Sequence, residues 1–167
     1  MKLFQYLSGP PDQFTLQTAG NFVTAFYGIF NPVNNEFIYA NAGHNSPYLI
    51  DNKKFEFLDI SNRGMPLGIN QDENEIQSDK IKYTNKKIIL RTDSKLFFYT
   101  DGLTEAVNIH EKSANPGLND FESTKLTEIL TQNSDKTAQE FVHEILNKLV
   151  LFRGTKEFDD DICMDIL

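Results

Sequence analysis

The sequence is poor in cysteine and in positive charge, and both shortages exclude classes of protein. A single cysteine, Cys163, cannot form an internal disulfide or a zinc site built from several thiolates. Because Cys163 lies in an apolar segment, we expect it to be a buried packing residue. The chain has 16 Lys and Arg against 24 Asp and Glu, a formal net charge of −8, and no basic stripe. A nucleic acid is therefore not an expected partner.

Long apolar runs are also lacking. No segment is long and apolar enough to span a bilayer, and the first residues do not form a signal peptide. We therefore expect a cytoplasmic protein without a membrane segment. The chain also lacks a nucleophile elbow, a phosphate-cradling glycine loop before a helix, and a histidine pair at metal-ligand spacing.

The order of the predicted elements indicates an α+β domain. The 167 residues fit one domain, and 40% of them are apolar, including 14 Phe. Runs rich in aromatic and β-branched residues predict strands at 22–30, 36–42, 48–50, 55–58, 86–91, 95–100 and the C-terminus. The first run suits a central strand and should form a hairpin with the second through an Asn-rich turn. A second hairpin is expected between 86–91 and 95–100.

Two helices are predicted between the last two strands. Thr137 and Glu140 form a capping-box pattern that opens the longer helix. Its apolar stripe comprises Ala138, Phe141, Val142, Ile145, Leu146 and Leu149. The shorter helix carries Leu126, Ile129 and Leu130, with Ser123 as its predicted N-cap. We expect both helices to cover an antiparallel sheet.

Acidic residues stand at two strand boundaries. Asp101 follows an apolar run and precedes Gly102, so the turn places a carboxylate at the open end of a buried strand. The run Asp159, Asp160 and Asp161 stands at the start of the last strand. If the two strands are antiparallel neighbours, these carboxylates converge at one edge of the sheet. Oxygen ligands suit Mg²⁺ or Mn²⁺; the alternative is an ordinary turn and a solvated strand start.

Other polar residues near these motifs have competing interpretations. Glu105, four residues after Asp101, could accept a hydrogen bond from metal-bound water or fix the turn, and the alternative is an ordinary surface Glu. His44 lies in a tight turn after Gly43, where a lone histidine more often bonds to local backbone than acts as a base or ligand. The two glycines of 64–68 are expected to fix a bend.

Five segments in order resemble the SpoIIE-like (RsbU-type) metal-dependent serine/threonine protein phosphatases. They are 22–28 (FVTAFYG), 39–47 (YANAGHNSP), 64–69 (GMPLGI), 99–106 (YTDGLTEA) and 160–162 (DDI). Each motif alone is unspecific, but the five occur in the family's order and spacing. The resemblance covers 21–167, so we interpret 1–167 as a single domain of this type with a non-matching leader at 1–20.

The resemblance implies an αββα sandwich of antiparallel sheets flanked by helices, with two Mn²⁺ or Mg²⁺ ions at one end. It implies that Asp101 and Asp160 ligate metal, that Gly102 forms the adjacent turn, and that Asp161 takes the place of a neighbouring Asn or Asp. The implied reaction is hydrolysis of phosphoserine or phosphothreonine by metal-activated water, without a further catalytic side chain. The implied partner is a phosphorylated regulatory protein such as an anti-sigma-factor antagonist.

The chain departs from the family pattern at its start. The family has another Asp-Gly motif upstream of the first matching strand, whose Asp bridges both metals, whereas Asp12 here has no glycine after it. We therefore expect an N-terminally truncated domain that lacks part of the sandwich and holds at most one ion weakly. An exposed sheet edge could then promote self-association.

Three functions follow from these features. The first is a metal-dependent phosphoprotein phosphatase domain that is incomplete in this chain and so weak or inactive alone. The alternative is a non-catalytic binding or regulatory remnant of the same fold. The third is a plain globular α+β domain whose acids face solvent. An in-frame Asp-Gly motif encoded upstream of Met1 would favour the enzyme over the remnant.

Overall fold

A computed structural model of the chain describes residues 22–52, 54–58, 64–68, 83–110 and 120–167. The predicted leader, 1–20, lies outside these residues. The strands are β1 Ala25–Asn31, β2 Glu36–Ala42, β3 Tyr48–Asp51, β4 Lys54–Phe57, β5 Lys86–Ile89, β6 Lys95–Tyr99 and β7 Met164–Ile166. The helices are α1 Asp101–Thr104, a π-helical segment Glu122–Leu126, α2 Thr127–Gln132 and α3 Ala138–Arg153. The chain divides into two compact units.

The first unit contains an antiparallel sheet in the order β1-β2-β5. The predicted hairpin is confirmed, since β1 and β2 pair from Ala25↔Ala42 to Asn31↔Glu36. The Asn-rich turn closes it as expected. Asn35 takes a left-handed backbone with φ of 55°, and the Asn31 carbonyl oxygen Oδ1 accepts a hydrogen bond from Val33 N at 3.0 Å.

Two predictions about this sheet are wrong. Among the described strands β2, not β1, lies in the middle, and Ile29 of β1 is 51% exposed. Aromatic and β-branched residues favour strands at either position, so composition could not separate centre from edge. The predicted hairpin of 86–91 with 95–100 does not form, because β5 pairs with β2 while β6 pairs with β3 and β7 in another sheet.

The second unit contains a four-stranded antiparallel sheet in the order β4-β3-β6-β7. Strand β6, one of its two central strands, is the most buried, with Leu96 and Phe97 fully inaccessible. Side chains from the sheet and the helices form one core: Tyr48, Ile50, Phe97, Tyr99, Leu103, Ala106, Phe121, Leu126, Ile129, Leu130, Phe141, Ile145 and Leu149. The predicted covering of an antiparallel sheet by helices therefore holds in this unit.

Helix α3 begins and ends with well-formed caps. The predicted capping box is confirmed: Glu140 N donates to Thr137 Oγ1 at 3.4 Å, and Thr137 N donates to Glu140 Oε2 at 3.1 Å. The hydrogen bonds from the Thr137 side chain and backbone lower the pKa of Glu140. Gly154 closes the helix in a left-handed conformation with φ of 74°. The buried stripe is narrower than predicted, since Ala138 and Leu146 are exposed.

The start of the shorter helix differs from the prediction. Ser123 is not an N-cap, because it lies inside the π-helical segment, which begins after Phe121. The buried Phe121 donates its backbone N–H to Ala106 O at 2.9 Å, so the chain is already anchored before Ser123. Glu122 Oε1 accepts a hydrogen bond from Tyr48 OH at 2.8 Å. Burial, followed by this hydrogen bond, raises the pKa of Tyr48 well above its usual value.

Cys163 is exposed, which corrects the expectation of a buried thiol. The cause is the two-residue period of the extended chain. Ile162, Met164 and Ile166 pack against the core, so Cys163 and Asp165 between them face outward. In the part of the chain that the structure describes, no helix has the length and apolar character needed to cross a membrane.

Candidate metal site

Two acidic segments meet where β6 ends and β7 begins. The strands are antiparallel neighbours in the register Phe97↔Ile166, Phe98↔Asp165 and Tyr99↔Met164. The pairing continues one step further, because Thr100 N donates to Cys163 O at 3.1 Å. Asp101 therefore leaves the sheet at the edge where the run 159–161 enters it, which is the antiparallel arrangement that the sequence analysis required.

The Thr100 hydroxyl ties the two segments together. Its Oγ1 donates to Asp161 O at 3.1 Å and accepts from Cys163 N at 3.0 Å. Both bonds go to backbone atoms, so they fix the path of the chain immediately after Asp160. The sequence does not single out Thr100, because a threonine at the end of a strand is unremarkable until its partner strand is known.

Gly102 brings the turn into direct contact with the acidic run. A Cβ atom built on Gly102 would lie 2.5 Å from Asp161 O and 3.4 Å from Asp160 O. The first distance is far shorter than a van der Waals contact, and the neighbouring atoms belong to backbone, which cannot move aside cheaply. Glycine is thus required here by the close approach of residues 160–161.

The two candidate ligands, Asp101 and Asp160, are exposed and share a local hydrogen-bond pattern. Asp101 Oδ1 accepts from Gly102 N at 3.1 Å, and Asp160 Oδ1 accepts from Asp161 N at 2.8 Å. Each bond orients the carboxylate relative to its own backbone. Among the described residues, neither carboxylate accepts a further hydrogen bond.

The donor set fits a hard cation only in part. No group of three or more His, Cys, Asp and Glu side chains with metal-binding geometry occurs among the described residues. Mg²⁺ commonly keeps several waters and binds through one or two carboxylates, so Asp101 and Asp160 would suffice for one ion. They do not by themselves form a bridged pair.

Glu105 and His44 both make hydrogen bonds through their backbones. Glu105 ends α1, and its backbone N donates to Asp101 O at 2.8 Å. His44 belongs to the other unit. There the Asn41 side chain bonds to its backbone, with His44 N to Asn41 Oδ1 at 2.8 Å, and the ring Nδ1 lies 3.1 Å from Thr24 Oγ1. The local bonds of His44 thus come from its backbone, whereas its ring lies against the Thr24 side chain and not against local backbone.

The 64–68 segment forms the predicted bend. Gly68 takes a φ of 87°, and two backbone bonds of 2.8 Å join Leu67 to Val23. A Cβ on Gly43 would lie 2.6 Å from the ring of Pro66, so the bend packs directly on the turn that carries His44. The turn at Gly43 and the bend at 64–68 therefore pack against each other within the first unit.

Substituting Gly102 with Ala tests whether this close approach matters. We expect Gly102→Ala to lower the free energy of unfolding by about 1–3 kcal/mol, because the added methyl group must displace the backbone of residues 160–161. The same displacement should weaken Mn²⁺ binding. Urea unfolding and a Mn²⁺ titration measure the two effects. A variant as stable and as responsive to Mn²⁺ as the wild type would contradict the steric argument.

The sequence matches a family model and resembles a curated relative. The family model described as Stage II sporulation protein E (SpoIIE) matches residues 11–167. Phosphoserine phosphatase RsbU of Bacillus subtilis (strain 168) is 29% identical over 142 residues, which make up 85% of this chain and 38% of that protein.

Several solved structures have a similar fold. The Mn-presoaked phosphatase domain of the cell fate determinant SpoIIE from Bacillus subtilis matches at TM-score 0.59 and 10% identity, over 86% of this chain and 55% of that one. The SiaA-PP2C domain of Pseudomonas aeruginosa matches at TM-score 0.59 and 18% identity, over 80% of this chain and 46% of that one. The structure of the RsbU and RsbW domains of Rv1364c from Mycobacterium tuberculosis matches at TM-score 0.59 and 22% identity, over 93% of this chain and 38% of that one.

These structural similarities show the fold alone, an α+β arrangement of antiparallel sheets and a few helices of the PP2C type. The chain spans between 38% and 55% of the length of these relatives.

Proposed function

Because the chain belongs to the SpoIIE family, we propose that it provides part or all of a metal-dependent phosphatase site for phosphoserine or phosphothreonine in a regulatory protein. The observation that carries the proposal is the antiparallel pairing of β6 with β7. This pairing brings Asp101 and Asp160 to one edge of the sheet, on segments joined by the Thr100 hydroxyl.

The proposed roles of the residues follow from this geometry. Asp101 and Asp160 would hold one Mn²⁺ or Mg²⁺ ion, since hard cations take oxygen ligands and both carboxylates face solvent. Asp161 would contribute through its backbone, which Thr100 fixes. A bound ion would screen the charge of the phosphate and lower the pKa of water. Because the net charge of −8 repels a phosphorylated substrate, such screening is needed before the phosphate can approach.

The proposed substrate is a phosphorylated protein of a sigma-factor regulatory pathway, such as an anti-sigma-factor antagonist. The similarity to phosphoserine phosphatase RsbU and to the structure that joins RsbU and RsbW domains supports this choice. The cytoplasmic location and the self-association through a sheet edge remain predictions. The exposed apolar side chains of β1 are compatible with the latter.

A second candidate is a non-catalytic regulatory domain of the same fold. It is favoured by one observation: the described residues contain no cluster of three metal-ligating side chains. Such a domain would keep the sheet edge and bind a phosphorylated partner or a single cation without turnover.

A phosphate-release assay separates the two candidates. The full chain is incubated with a phosphoserine peptide in Mn²⁺, in Mg²⁺ or in EDTA. The enzyme predicts slow release that requires the metal and stops in EDTA. Release that continues unchanged in EDTA would refute a metal-dependent site. No release in any buffer, together with measurable Mn²⁺ binding, would mean that this chain alone binds the ion without turnover, as the regulatory domain predicts and as a phosphatase domain inactive on its own would also behave.

A further inference from the structure

A buried guanidinium group stands at the end of α3, directly before the acidic run. The side chain of Arg153 is only 3% exposed, although arginine is almost always at the surface. Burying a charge is unfavourable unless it is paired and hydrogen-bonded. The contacts of Arg153 should therefore show what this charge holds in place.

The side chain of Arg153 contacts the segment that follows the end of the helix. Nη2 donates to Asp159 Oδ2 at 3.0 Å, and Nε donates to Glu157 O at 3.2 Å. The guanidinium carbon lies 5.7 Å from the centre of the Phe158 ring. The backbone carbonyl of Arg153 accepts a hydrogen bond from Ile109 N at 3.2 Å. Residues 157–159 thus all contact the guanidinium group of Arg153.

The residue after this wrapped segment is Asp160. On its C-terminal side, Asp161 O is held by the Thr100 hydroxyl. On its N-terminal side, Asp159 is held by Arg153. The candidate ligand consequently lies between two anchored neighbours, and the three consecutive acids have different partners. Asp159 is held through its carboxylate and Asp161 through its backbone carbonyl, and the Asp160 carboxylate accepts one bond, from Asp161 N at 2.8 Å.

From this arrangement we infer that Arg153 is a positioning residue for the metal site, acting through Asp159 on the backbone that presents Asp160. The inference rests on the proposed function, because it assigns Asp160 to a divalent cation. Arg153 does not touch the ion. Its effect is to hold the 157–159 segment so that the Asp160 carboxylate is presented next to the Asp101 turn.

Because Arg153 is positively charged, the direction in which Mn²⁺ affinity changes when it is replaced tests this inference. A positive charge near a cation site repels the cation, so through-space electrostatics alone predicts tighter Mn²⁺ binding when Arg153 is neutralised. Positioning predicts weaker binding. For Asp159 both effects weaken binding, so a control must account for the lost negative charge. Glu157→Gln provides it, because it removes an acid from the same segment while leaving the Glu157 carbonyl bonded to Arg153.

The experiment titrates Mn²⁺ into the full chain and follows the free ion by electron paramagnetic resonance. The variants are Arg153→Met, which keeps the apolar stem, and Asp159→Asn, which keeps the shape. Residues that orient metal ligands typically change affinity by about 10- to 100-fold. We expect a loss of roughly 10-fold or more for Arg153→Met and about threefold to 10-fold for Asp159→Asn. Glu157→Gln should change affinity less than twofold, a small through-space effect at an exposed site.

Each outcome decides the inference. Weaker binding by both test variants, with Glu157→Gln near the wild type, supports it. Tighter binding by Arg153→Met, or equal losses for Asp159→Asn and Glu157→Gln, overturns it while leaving the metal site intact. If Arg153→Met does not fold, the comparison of Asp159→Asn with Glu157→Gln decides alone. A wild-type chain that binds no Mn²⁺ at millimolar concentration refutes the metal site and this inference together.

Discussion

Replacing Asp101 with Asn is expected to lower the affinity for Mn²⁺ by roughly 100-fold or more, since even residues that only orient a ligand change affinity by about 10- to 100-fold. Asn keeps the oxygen that accepts from Gly102 N at 3.1 Å, so the turn should still form. What is lost is the negative charge that a hard cation requires. Mn²⁺ titration measures the affinity, and any metal-dependent phosphate release should fall with it. Asp160→Asn should behave alike, because its bond from Asp161 N is equally preserved.

A matched control is available on the neighbouring strand. Asp165 of β7 is also exposed, and its Oδ1 accepts from the N–H of the next residue, Ile166, at 2.8 Å. Asp165→Asn therefore makes the same chemical change, with the same local hydrogen bond, a few residues from the site. It should leave Mn²⁺ affinity within about threefold of the wild type, since exposed charges are screened beyond a Debye length. Strong Mn²⁺-dependent turnover that survives Asp101→Asn would refute the site assignment.

The Asn variants should not lose stability in metal-free buffer. The acids at this edge have like charges, and like charges at close range oppose the compact state. Removing one charge while keeping its hydrogen bond should leave the melting temperature unchanged or raise it slightly. In excess Mn²⁺ the wild type should have the higher melting temperature, because an ion that binds only the folded chain stabilises it. This crossover separates a lost ligand from a damaged fold.

Features decided by neighbouring residues could be predicted from the sequence. The bounds of β2 match the predicted strand 36–42. The Asn-rich turn, in which Asn35 is left-handed, and the Thr137–Glu140 capping box were also correct. In each case the deciding interactions lie within a few residues along the chain, such as an amide that tolerates φ above zero or a side chain that reaches the next turn.

Features that depend on residues far apart in the chain could not be predicted from the sequence. The segment 90–94 is compatible with a hairpin, yet β5 and β6 join different sheets, because β6 is paired on both sides by β3 and β7. Similarly, the position of Cys163 depends on which alternate side chains of the last strand face the core. Residue composition predicts a strand but carries no information about its partners or its register.

The candidate site lies between these two cases. The two acidic motifs could be found by inspection, and their convergence followed from a single assumed strand pairing that the structure contains. The residues that fix their geometry could not be found. Arg153 at the end of a helix is typical of a side chain that complements the helix dipole, and only the folded chain shows its guanidinium buried against the 157–159 segment. Whether Asp101 and Asp160 bind a metal remains a prediction.

Substituting Phe141 with Ala is expected to lower the free energy of unfolding by about 3–5 kcal/mol. Phe141 is the first buried residue of α3 and is fully inaccessible. Its ring packs edge-on against Phe97 of the central strand, with centroids 5.6 Å apart. Removing it deletes a large apolar surface and leaves a cavity between helix and sheet. Since domains are stable by only about 5–15 kcal/mol, this single change should remove roughly a fifth or more of the total. Urea unfolding followed by circular dichroism measures it.

Leu146→Ala on the same helix provides the comparison. The sequence assigns Phe141 and Leu146 to one apolar stripe, but Leu146 is 37% exposed. Truncating it should therefore change the free energy of unfolding by less than about 1 kcal/mol. Equal losses for the two variants would mean that α3 packs through the wide stripe of the sequence pattern. A large difference would mean that it packs only through the row Phe141, Ile145 and Leu149. That row fixes the rotation of α3 on the sheet, and the rotation determines where its last residue, Arg153, points relative to the acids.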